Sequence, residues 1–142
     1  MNDFLKIVHM LGLALGVGAG FAMLTLGMAS SDLTPDERSK FMLRATAVSK
    51  NGSIGFGLLV LSGIAFLLVR GPGVIMRWGG PAFHAKLTLV VVFAGVLGYF
   101  QVLLKRARRA GGGPALQSAA KLGRVLLLLG VSIVVCAVLA FH

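Results

Sequence analysis

His9, His84 and His142 are the three imidazoles of this sequence. An imidazole offers a nitrogen lone pair to a metal or a proton, and two from different helices can hold the iron of a b-type haem from both faces. Gly12, Gly16 and Gly20 follow His9 at helical spacing, with Gly27 one heptad later. Such a stripe either lets another helix approach closely or leaves a shallow slot for a planar tetrapyrrole, with His9 as axial ligand or proton relay. His84, Thr88, Gly95 and Tyr99 fall on the smaller, more polar face of a second apolar helix. That face is expected to point inward, which would bring His84 toward His9 as a second haem or metal ligand, with Thr88 and Tyr99 beside it. Lys86 lies about 200° around the same helix from His84. It either snorkels outward or holds a propionate or substrate carboxylate. His9 and Lys86 are therefore the candidate catalytic pair. His9, His84, Gly12, Gly16, Thr88 and Tyr99 are the candidate cofactor contacts, and His9 and His84 the candidate metal ligands.

Other chemistries are excluded by what the chain lacks. Its acids are Asp3, Asp32, Asp36 and Glu37. All sit near the ends of apolar blocks, so no paired-carboxylate mechanism inside those blocks is available. Cys136 is the single cysteine, which rules out an internal disulfide or a thiolate cluster. No C-x-x-C-H motif is present, so a haem would be bound non-covalently. Met10, Met23, Met28 and Met76 are scattered as packing residues are. Gly111-Gly112-Gly113 is followed by no G-K-[ST], so it is a linker and not a phosphate loop. The net charge of +10 does not indicate nucleic acid, because no basic face is interleaved with aromatics.

The elements that must position these residues are four apolar blocks. Only 13% of the 142 residues are charged, about half the share of a soluble domain. The blocks, at about 4–29, 53–69, 82–104 and 122–141, suit a bilayer core about 30 Å thick. The first is too long for a signal-peptide core. Thr34, Pro35 and Glu37 spell a capping box with proline at N1. A helix therefore starts near residue 35, outside the bilayer, and runs on into the second span. Gly71-Pro72-Gly73 ends it. Trp78 in the following loop fits an interfacial belt. Lys and Arg divide ten to four between the two sides. Arg38, Lys40, Arg44, Lys50, Lys105, Arg106, Arg108, Arg109, Lys121 and Arg124 stand against Lys6, Arg70, Arg77 and Lys86. The positive-inside rule then puts the first and third loops in the cytoplasm and both termini outside. The expected fold is an all-α, four-transmembrane-helix bundle forming a single domain in a cell's inner membrane, with the histidines near its outer face.

The segments Phe4-Leu5-Lys6-Ile7-Val8-His9 and Phe83-His84-Ala85-Lys86-Leu87-Thr88-Leu89-Val90 resemble the HemJ-type protoporphyrinogen oxidase family. The helical plan is also similar to that of CopD-like copper-resistance membrane domains. The resemblance implies a functional histidine on the first span, matched by His9, and a functional lysine early on the third, matched by Lys86. It further implies b-type haem and oxidation of protoporphyrinogen IX. The chain departs from that family's pattern at Gly18-Ala19-Gly20-Phe21 and at Val96-Leu97. The expectation is a membrane redox protein that binds haem b or a porphyrin near the outer face and passes electrons to a quinone. The alternatives are copper or other metal transport or sensing, and a structural subunit that forms homo-oligomers through the glycine stripe.

Overall fold

The computed structural model describes residues 2–71, 73 and 81–139. His142, Met76, Arg77 and Trp78 lie outside these. Among the described residues the regular elements are helices: α1 (Asn2–Ala29), α2 (Pro35–Ala45), α3 (Val48–Arg70), α4 (Pro81–Ala110) and α5 (Pro114–Leu139). Four segments are long and apolar enough to cross a membrane: Asp3–Ala29, Pro35–Arg70, His84–Ala110 and Pro114–Leu139.

The capping box forms as its sequence dictates. Thr34 Oγ1 accepts from the Glu37 amide at 3.4 Å, and Glu37 Oε2 accepts from the Thr34 amide at 3.1 Å and its hydroxyl at 2.8 Å. These bonds from the Thr34 side chain and backbone hold the Glu37 carboxyl below its ordinary value. The helix that starts here is not continuous. It breaks at Thr46–Ala47, where the backbone switches to three-residue hydrogen bonds: Ala47 N–H to Arg44 C=O at 3.1 Å and Ser49 N–H to Thr46 C=O at 3.1 Å. Two side chains compete for the carbonyls there. The Thr46 hydroxyl donates to Leu43 C=O at 2.6 Å and the Ser49 hydroxyl to Thr46 C=O at 2.6 Å. Arg108 of α4 then clamps the break, with Nε on Thr46 Oγ1 at 3.1 Å and Nη2 on its carbonyl at 3.2 Å.

Two close-packed helix pairs, α1/α3 and α4/α5, are joined through α1 and α5. The α1/α3 seam brings backbone to backbone. A Cβ placed on Gly55 would lie 2.5 Å from Gly16 N and 2.6 Å from Gly12 O, and one on Gly12 would lie 2.8 Å from Gly55 O. Gly20 points instead at Leu127 of α5, whose Cδ1 would be 2.9 Å from an added Cβ. The glycine stripe, expected to serve a second copy of the chain, is therefore covered from within at Gly12 and Gly20. In α4/α5, Phe93 and Phe100 are seated over Gly130 and Gly123. Phe100, Leu103, Leu104, Ala119 and Leu126 form the compact core there. The α4–α5 turn needs left-handed backbone at Gly111, Gly112 and Gly113, with φ of 69°, 116° and 79°. Gly112 rests on Ser39 of α2.

Candidate functional site

Between the two helix pairs lies a cavity of about 1780 Å³. The stretch of α1 that lines it, from Lys6 to Met28, is about 33 Å long at 1.5 Å per residue. Its middle is apolar, with Leu13, Val17, Phe56, Leu59 and Leu126 among the walls. Every charged residue on it is basic: Lys6, Arg70 and Lys86 at the end that holds His9, and Arg38, Lys121 and Arg124 at the end that holds Thr46. No Asp or Glu is among the described residues that line it.

His9 is half-buried on this cavity. Its Nδ1 lies 2.8 Å from the hydroxyl of Ser62 on α3. Ser62 is 2% exposed. Its one hydroxyl proton goes to the carbonyls of Leu58 at 2.6 Å and Leu59 at 3.1 Å. With the hydroxyl proton on those carbonyls, the Ser62 oxygen is placed to accept from the Nδ1–H tautomer of His9, the tautomer that carries its lone pair on Nε2. Phe66 meets the His9 ring edge-on at a centroid distance of 6.2 Å. Ser62, Phe66 and Arg70 are spaced four residues apart, so one stripe of α3 supplies the hydrogen bond, the ring contact and a cation for this end of the cavity. Sequence reasoning missed all three roles. The signal was present: a lone serine in an apolar run, with Phe66 and Arg70 repeating at four-residue spacing. Lys86, also half-buried, lines the same cavity and acts electrostatically on His9.

The rest of the expected α4 site is turned the other way. The cavity face of α4 is Lys86, Val90, Phe93, Leu97, Phe100 and Leu104, in alternating steps of four and three. His84, Thr88, Gly95 and Tyr99 are all exposed on the opposite side. Thr88 donates to its own helix, to His84 C=O at 2.9 Å. Tyr99 is 57% exposed. The expectation that polarity marks the inward face is thus corrected, and His84, Thr88 and Tyr99 are not cavity residues. The reason is packing: α4 turns its phenylalanines onto the α5 glycines, and its small, polar face is left outside. Gly12 is likewise taken up by α3. Gly16 does line the cavity, and a Cβ there would meet nothing within 4 Å. Among the described residues no group of three His, Cys, Asp or Glu side chains could hold a metal ion. Nearer the Thr46 end, Gln101 of α4 donates to Ser53 of α3 at 2.6 Å.

No protein-family model, curated protein or solved structure matches the chain.

Proposed function

We propose that this chain is a multi-pass membrane protein that binds an anionic, largely apolar planar ligand of the tetrapyrrole class at the His9 end of its cavity. The observation that carries this reading is a half-buried imidazole, hydrogen-bonded to Ser62, that shares an apolar cavity with Lys86 and Arg70, with no Asp or Glu among the described residues lining it. The donor set fits a haem or porphyrin held from one face. His9 Nε2 is the lone pair for the iron, and Lys86 and Arg70 are the cations for its propionates. It does not fit a bis-histidine haem, because His84 lies on the far side of α4 from Lys86. Bound haem would supply one-electron redox chemistry, tuned by its axial ligand and by the apolar surroundings. With a porphyrinogen as substrate in place of haem, His9 Nε2 would be free to accept one proton in each two-electron oxidation step, and one quinone per step would take the electron pair. Ser62, as acceptor at Nδ1, would keep the ring oriented with Nε2 toward the ligand.

In this reading the chain crosses an inner membrane four times. The Thr46 end faces the cytoplasm and the His9 end faces outward, as the ten-to-four division of Lys and Arg favours. Titration of the purified protein with haem tests the site. A shifted Soret band is expected for the natural chain and for His84→Ala, and its loss for His9→Ala. No shift in the natural chain, or an unchanged shift in His9→Ala, overturns the reading. Metal transport has less support, since the described residues carry no metal cluster.

A further inference from the structure

The cavity is much larger than one small-molecule site requires. Ligand pockets usually span about 300–1,000 Å³, and this one is about 1780 Å³. Its far end has a separate character. Gln117, Lys121 and Arg124 form one stripe of α5 that lines the cavity. The seating of Gly112 on Ser39 holds α2 beside the α4–α5 turn, and Arg38 lines the cavity from that side. Among the described residues Lys121 and Arg124 have no hydrogen-bond or ion-pair partner, the ion pairs being Lys6–Asp3 and Lys40–Asp36. Arg38 makes one long bond, from Nη2 to Gly27 C=O at 3.4 Å. Two nearby polar side chains are already engaged, Thr46 with Arg108 and Ser49 with Thr46 C=O. Three exposed, under-used cations thus line this end of an apolar chamber that has no carboxylate among the described residues lining it.

We propose that the Thr46 end of the cavity binds an anionic phospholipid, with its phosphate held by Arg38, Lys121 and Arg124 and an acyl chain laid into the apolar interior. Charge selects the headgroup, since basic residues near anionic lipid each raise affinity severalfold. The apolar walls select a molecule with a chain over free phosphate. This inference does not rest on the tetrapyrrole reading, which uses the opposite end of the chamber.

Native mass spectrometry of the full chain in neutral detergent tests it, with phosphatidylglycerol, phosphatidylcholine of the same chains, glycerol phosphate and inorganic phosphate as probes. Phosphatidylglycerol should be retained at least about ten-fold better than phosphatidylcholine, and the two chain-free anions should not be retained. The triple variant Arg38→Gln, Lys121→Gln, Arg124→Gln should lose that preference. Lys105→Gln, Arg106→Gln, Arg109→Gln removes three cations that do not line the cavity and should keep it. The single variants Lys121→Gln and Arg124→Gln should each weaken it, which guards against misfolding of the triple. Equal retention of both lipids, equal loss in the two triples, or equal binding of glycerol phosphate or inorganic phosphate overturns the proposal.

Discussion

At the scale of the residue, the chemistry of this chain is concentrated in one hydrogen bond. His9 Nδ1 lies 2.8 Å from the Ser62 hydroxyl, whose own proton is within reach of the Leu58 carbonyl, so this contact orients the ring. Loss of such a supporting partner typically weakens ligand binding at an imidazole by 10–100-fold. Ser62→Ala is therefore expected to weaken haem binding by about ten-fold or more in a Soret titration, and Ser62→Thr, which keeps the hydroxyl, to restore most of it. Thr88→Val should leave the titration within about two-fold, since Thr88 bonds only within its own helix. His9 was legible in the sequence as an ionisable residue within an apolar span. Ser62 was not, because a serine in such a span usually bonds back to its own helix, and this one does that as well.

At the scale of the element, helix seams decide which faces look inward. The α1/α3 seam leaves no room for a side chain at Gly55, where an added Cβ would sit 2.5 Å from backbone. Gly55→Ala should destabilise the protein by about 1–3 kcal/mol, as overpacking does. Gly57→Ala, in open space two residues away, should instead leave it unchanged or stabilise it by up to about 1 kcal/mol. Reversible unfolding in mixed detergent micelles compares the two. The start of α2 is the pH-sensitive element. Because the Glu37 carboxyl titrates below its ordinary value in the folded chain, its capping contribution is complete above that ordinary value. It is lost as pH falls through the lowered one. Amide exchange at Glu37 and Arg38, corrected for intrinsic rates, should therefore quicken toward acid pH in the natural chain, and in Glu37→Gln should not depend on pH in that range. The end of α1 and the start of α2 were readable from turn and capping residues. The break at Thr46 was not, since it depends on Arg108 arriving from 62 residues away. The inward face of α4 was misread from polarity, which in an apolar surround does not choose sides.

At the scale of the whole molecule, the exterior is apolar and the charge is gathered at the ends. Leu68, Val91 and Leu139 are 77%, 70% and 69% exposed. Such residues continue over all four long helices, an area that only an apolar surround tolerates without association. The proposed orientation predicts that, in a Cys136→Ser background, a cysteine at Ser31 or Ala110 reacts with a membrane-impermeant maleimide only after the membrane is opened. A cysteine at Asp3 should react from outside. The opposite pattern would reverse the assignment of the two cavity ends to the two sides.

The number of membrane-length apolar segments and the division of basic residues between the two ends follow from local apolar runs and turn residues, so the chain alone determined them. The cavity, the His9–Ser62 pairing and the exclusion of His84, Thr88 and Tyr99 follow from how helices rotate about their axes. That rotation is set by glycines meeting glycines in α1/α3 and phenylalanines covering glycines in α4/α5. These contacts join residues tens of positions apart, and no single helix carries them in its own pattern, so only the tertiary structure decided them.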